Sequence, residues 1–254
     1  MKICLTVGHS KLKNSNTTSA SGYVNEYEYN KILAPKVAEL IRKEGHDVTV
    51  IQCPEYVFTS SREEYLYKII RINRGDYDLL VEFHLNASNG AGYGAEVLHF
   101  DNNRGKQLAQ QIQSRLKTVF RDRCIKQRQD LYILRDTNPT AVLIEAFFCD
   151  NANDCNIAKN LGYDKIAKLI AEGILNKNIC IETKEDFDMD KIVLYFGDAD
   201  LFSAVLVSQK HQCPLMKKSD FDVAKLKVKE IIQIGGNKED SNRFITMKNA
   251  CKYL

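Results

Sequence analysis

Short apolar runs recur along the first two-thirds of the chain: ICLTV (3–7), DVTVIQ (47–52), LLVEFHL (79–85), AEVLHF (95–100), LYILRDT (131–137) and AVLIEAFF (141–148). A strand wet on one face alternates apolar and polar residues, whereas near-continuous apolar runs belong to strands covered on both faces. Segments with apolar residues at helical spacing lie between them. One starts near Glu26 and carries Ile32, Leu33, Val37, Leu40 and Ile41, contains Pro35 and stops at Gly45. Another, 103–120, carries Leu108, Ile112, Leu116 and Val119, and a third, 163–178, carries Ile166, Leu169, Ile170 and Ile174. The Tyr- and Arg-rich stretch 61–74 is compatible with a further helix. Strands alternating with helices predict an α/β fold: a twisted, mostly parallel sheet flanked by helices.

The pattern pauses at 179–189, ICIETKEDFDM, where four carboxylates face one lysine, and then restarts. KIVLYF, ADLFSAVLVSQ, CPLMKK, KEIIQIGG and NRFITMKNACKYL read as a second, small α/β piece. The expected organisation is a domain over 1–178, an acidic linker over 179–189 and a C-terminal domain over 190–254. A core of roughly 65 residues is marginal alone, so this domain is expected to form a homodimer or higher oligomer. Met189 opens it, which suggests an internal start or a cleavage near 187–192 that would release the domain free.

The charge balance, 36 basic against 33 acidic residues, is too even to imply a nucleic-acid partner. No run of 18 apolar residues exists, so no membrane span is expected, and the apolar run in MKICLTVGHSKLKNSN is too short for a secretion signal. The eight cysteines form no CxxC pair and read as reduced thiols of a reducing compartment.

One strand is oddly polar. In LLVEFHLNAS, alternation places Glu82, His84 and Asn86 on one face. His9 follows the first strand, and ligands in open α/β sheets gather beyond the carboxyl ends of strands. Two imidazoles and a carboxylate form a common catalytic zinc set. Glu26, at the start of a helix whose positive end favours the ionised form, is the candidate third ligand. His46, His99 and His211 read as structural or exposed.

The order VGHS, NEYEYN, LLVEFHLNAS, TNPTAVLIEAFFCDN resembles the zinc-dependent N-acetylmuramoyl-L-alanine amidases of the amidase 3 family. The elements that carry the resemblance are Gly8-His9, Glu26 with Asn30, His84-Leu85-Asn86-Ala87, and the run Ala141 to Phe148. They span residues 1 to 178. The resemblance implies a phosphorylase/hydrolase-like α/β fold, one Zn2+ held by His9, Glu26 and His84, and Glu145 as the catalytic carboxylate. Two departures stand out. Thr6-Val7 replaces the family's usual Asp-Pro before Gly-His, and Glu82 stands where serine is common. Glu82 is read as orienting the ligand set rather than joining it, and Asn86 as a polar neighbour of the site.

The C-terminal piece resembles a single cell-wall-binding repeat of the type 2 family, through Gly197-Asp198-Ala199, Ser203-Ala204, Pro214-Leu215, Ile234-Gly235-Gly236 and Arg243-Phe244. Together the two resemblances imply a phage endolysin that cleaves peptidoglycan. It would recognise a host cell-wall polymer and stay in the host cytoplasm until released through holin pores. A bacterial autolysin amidase, a zinc carboxypeptidase acting on murein peptides, and a non-catalytic wall binder are the alternatives.

Overall fold

Six strands form the central sheet of the first of two compact units, Met1–Cys180 and Ile181–Leu254. The computed structural model describes residues 1–100, 103–179, 188–236, 240 and 242–254. In chain order the first unit runs β1 (Lys2–Val7), α1 (Glu26–Lys43), β2 (Asp47–Ile51), α2 (Ser61–Arg74), β3 (Leu79–Asn86), β4 (Ala95–His99), α3 (Asn103–Leu116), β5 (Asp122–Gln127), α4 (Tyr132–Arg135), β6 (Thr140–Phe148) and α5 (Ala152–Leu175). The sheet order is β2-β1-β3-β6-β4-β5. Every pairing is parallel except β4 against β6, so the mostly parallel helix-flanked sheet is the fold observed.

Alternation along the strands sorts the core into two layers. Ile3, Leu5, Val81, Phe83, Val142 and Ile144 face α1, α3 and α5, burying Leu33, Val37, Ile41, Ile112, Leu116, Ile166 and Ile170. Cys4, Leu80, Leu98 and Leu143 face the other way and pack with Ile72 of α2 and Ile133 and Leu134 of α4. The first layer is the larger. The second is where the polar residues of β3 emerge.

Three elements differ from expectation. LYILRDT is not a strand: Tyr132–Arg135 make one helical turn, with consecutive Ile133 and Leu134 both buried and the Thr137 hydroxyl donating to the Ile133 carbonyl. DRCIKQ is an unforeseen edge strand, largely exposed and therefore without an apolar signature. The helix expected over 163–178 is the second half of α5, which breaks at Gly162, where φ is 71°. An ordinary residue would be strained there.

The second unit has its own three-stranded parallel sheet, ordered β8-β7-β9. Its elements are β7 (Met189–Tyr195), α6 (Asp198–His211), β8 (Leu215–Lys217), α7 (Lys218–Ala224), β9 (Val228–Ile234) and α8 (Arg243–Ala250). Val193, Ala204, Val207, Ile232, Ile234 and Ala250 form its core. Most of the acidic linker, residues 180–187, lies outside the described residues. Met189 is the first residue of β7 and pairs with Val228. Among the described residues no helix is long and apolar enough to cross a membrane, and the seven of the eight cysteines that fall within them are free.

Candidate metal centre

The carboxyl ends of β1 and β3 lie side by side, with Val7 opposite Phe83 and the Gly8 amide donating to the Phe83 carbonyl at 3.0 Å. The chain then turns at His9, whose φ of 64° lies in the left-handed region that costs a branched or bulky residue energy. Such strain is held only where the surroundings fix it. Gly8 has no freedom to be anything larger: a Cβ there would lie 2.3 Å from Cε1 of His84. Close approach of the two strand ends thus brings the imidazoles together, edge to face, with ring centres 4.8 Å apart.

Glu26 reaches both rings. Asn25 caps α1 by accepting from the Glu28 amide, placing Glu26 at the first helical position. Its Oε1 lies 2.8 Å from His84 Nδ1 and 3.3 Å from His9 Nε2. The carboxylate is fixed by two main-chain donors, Leu85 N–H to Oε1 at 3.1 Å and Ala20 N–H to Oε2 at 2.9 Å. Leu85 can donate there because the β3–β6 register shifts between His84 and Asn86. Burial opposes the charge on Glu26, but hydrogen bonds from His84 and His9 outweigh it and hold the carboxyl far below its usual range. His84 is pushed up to about 10: burial disfavours its charged form, and the Glu82 charge with hydrogen bonds to Glu26 and Glu82 overrides burial.

One donor atom from each of His9, Glu26 and His84 falls within 4.8 Å of the other two. Two imidazole nitrogens and an ionised carboxylate, converging at the carboxyl ends of two inner strands, suit a tetrahedral zinc with its fourth position left open. The donor set therefore fits the metal.

Glu145 stands on β6 directly opposite His84 on β3 and opposite Glu96 on β4. Arg135 does not pair with it; that guanidinium binds Asp136. The Oε2 of Glu145 is buried without a hydrogen-bond partner. Burial, reinforced by the charges of Glu26, Glu96 and Glu82 against the opposing pull of His84, pushes its carboxyl up to about 8. A carboxyl poised near neutrality is what proton transfer to and from a substrate needs.

The remaining expectations divide. Glu82 shares the face of His84, with Oε2 at 3.3 Å from Nε2, and is itself bound by the Lys68 ammonium. Asn86 is not drawn to the ligand set; its amide donates to Glu96 at 3.1 Å. His99 and His211 bind main-chain carbonyls, those of Phe100 and Tyr253. Several residues that sequence reasoning missed also frame the site. Glu96, buried, accepts from Arg123 and Lys126 at 2.7 Å each, which balances one carboxylate beside Glu145. Their signal was weak, because β5 itself did not read as a strand.

A model of the N-acetylmuramoyl-L-alanine amidase family matches residues 3–176. Among solved structures, the catalytic domain of the CD27L endolysin targeting Clostridia difficile is 59% identical with a TM-score of 0.70. The match covers 71% of this chain and 99% of that one. An uncharacterised protein of Clostridium perfringens is 27% identical over 206 residues, 76% of this chain and 58% of that protein. The amidase LytC of Bacillus subtilis is 28% identical over 130 residues, 47% of this chain and 26% of LytC. The chain thus spans little more than half of the one relative's length and about a quarter of the other's.

Proposed function

We propose, for a chain that belongs to the N-acetylmuramoyl-L-alanine amidase family, that it hydrolyses the amide between N-acetylmuramic acid and L-alanine in peptidoglycan, with one zinc ion held by His9, Glu26 and His84. The observation that carries this is the juxtaposition of the His–Glu–His donor set with Glu145 on the adjacent strand, whose Oε2 is buried without a hydrogen-bond partner.

Amides resist water because the carbonyl is a poor electrophile and the amine a poor leaving group. Zinc supplies a Lewis acid for the carbonyl and makes water more acidic. With zinc bound, the histidines would give up the protons they share with Glu26 and present lone pairs, and Glu26, held in place by its two main-chain donors, would supply the negative charge. Glu145 takes the proton from the attacking water and passes it to the departing amine. General acid–base transfer of this kind contributes about 10²–10⁴-fold. Asn86 and Glu96 keep the neighbouring strand fixed beside it.

The second unit serves as a wall-binding domain, raising the local concentration of the catalytic unit on its polymer. The supporting observations are its parallel α/β build and the residues Gly197-Asp198, Gly235-Gly236 and Arg243-Phe244 that resemble a wall-binding repeat. The likeness to an endolysin catalytic domain supports a role in phage-mediated host lysis, with release through holin pores. Dimer formation through the second unit belongs to the same reading.

The test is Glu145→Ala in the full chain. It is expected to keep stoichiometric zinc and a native circular-dichroism spectrum while losing at least 10²-fold in wall hydrolysis, on the order of what a general base contributes. Wild-type turnover by that variant would remove Glu145 from the reaction.

A further inference from the structure

We infer that helix α2 fixes the orientation and tautomer of both metal-site histidines through two buried hydrogen-bond relays. Glu64 acts through Thr18 on His9, and Lys68 acts through Glu82 on His84. The inference rests on the zinc reading above and adds residues to it that bear on the metal only through the ligands.

Glu64 and Lys68 look, in sequence, like an ordinary i,i+4 pair on a solvated helix face. Neither is solvated: Glu64 is 3% exposed and Lys68 1%. Nor do they pair with each other. With Ile72 they form the buried stripe of α2, and each reaches a different histidine.

On one side, Glu64 accepts hydrogen bonds from the Ser10 hydroxyl and from Thr18 Oγ1, the latter at 2.8 Å. Thr18 Oγ1 also lies 3.2 Å from His9 Nδ1. A hydroxyl has one proton, and here the carboxylate takes it, so Thr18 must accept from His9 Nδ1–H. His9 Nε2, which faces Glu26, is then the nitrogen that offers a lone pair once a metal replaces the proton it shares with that carboxylate.

On the other side, the Lys68 ammonium binds Glu82 Oε1, and Glu82 Oε2 lies 3.3 Å from His84 Nε2. An ionised carboxylate only accepts, so Nε2 carries a proton for Glu82, and Nδ1, 2.8 Å from Glu26, is the nitrogen whose proton a metal would replace. The two histidines thus present opposite nitrogens to one point. Ligand imidazoles are commonly oriented by such outer partners, whose loss typically weakens metal binding about 10–100-fold. Lys68 is what allows an acid at position 82, since it neutralises a carboxylate that is 1% exposed.

The test compares full-length wild type with Thr18→Val, Thr18→Ser and the double variant Lys68→Met/Glu82→Leu. The readouts are the zinc dissociation constant by competition with a chromophoric chelator and the imidazole nitrogen shifts of the zinc-loaded protein. Wild type is expected to show Nδ1–H on His9 and Nε2–H on His84. Thr18→Val is expected to bind zinc about 10–100-fold more weakly, and Thr18→Ser to restore binding to within a few-fold. The double variant removes both charges together and is expected to weaken zinc similarly while the metal-free melting temperature holds or rises. Wild-type affinity in both Thr18→Val and the double variant, or reversed tautomers, would overturn the positioning role alone. A wild-type chain that binds no zinc would overturn the zinc reading and this inference with it.

Discussion

At the scale of single residues, the site depends on atoms that are missing as much as on those present. Gly8 leaves just enough room for the His84 ring, and a methyl group there would sit 2.3 Å from Cε1. Gly8→Ala is therefore expected to fold but to displace His84 and weaken zinc about 10–100-fold, measurable by chelator competition; unchanged affinity would show that the ring has room to move. Glu145 makes a different prediction. Its carboxyl rises from an ordinary 4.5 to about 8 chiefly through burial. The folded state thus binds the proton more tightly than the unfolded chain, and stability is lost as pH climbs from about 4.5 through 8. In chelator-treated protein, Glu145→Gln is expected to melt higher than wild type at pH 8, with the advantage shrinking towards pH 5. An advantage of equal size at both pH values would show that the carboxyl titrates normally.

Among the elements, α5 ties the site's strands to the helical layer. Asp154, 1% exposed near its N-terminus, accepts from Gly94 N–H at 2.8 Å and Phe148 N–H at 3.0 Å, joining the β3–β4 loop to the end of β6. Asp154→Ala leaves two buried donors unpaired and is expected to cost about 3 kcal/mol in urea unfolding; a loss below roughly 1 kcal/mol would contradict this anchoring. The strands and helices that bury apolar stripes were legible in the sequence, because periodicity reports burial. What failed was polar or short. β5 has one neighbour in the sheet and an exposed face, so DRCIKQ carries no apolar signature. LYILRDT has the composition of a strand, yet consecutive burial of Ile133 and Leu134 suits a helical turn. His9, Glu26, His84 and Glu145 were singled out by motif and order, and the fold places the first three in mutual reach. Glu64, Lys68 and Glu96 were not, since a charged residue turned inward is written no differently from one turned out.

For the whole molecule, the two units have separate sheets and separate cores. The family match, residues 3–176, falls within the first. A chain truncated to residues 1–179 is accordingly expected to cleave a soluble muramyl peptide at the full-length rate per mole but to lose co-sedimentation with walls. Retained sedimentation would move wall recognition into the catalytic unit. Zinc-dependent hydrolysis of the muramyl amide, the proposed reaction, is tested by identifying the bond that is broken. Purified walls would be incubated with the full-length protein alone, with chelator, and with chelator followed by zinc, and the newly exposed groups identified. Free alanine amino groups on the stem peptide together with intact lactyl muramic acid are expected, abolished by chelator and restored by zinc. New reducing sugar ends, release of only the peptides' terminal residues, or cleavage indifferent to the chelator would contradict it.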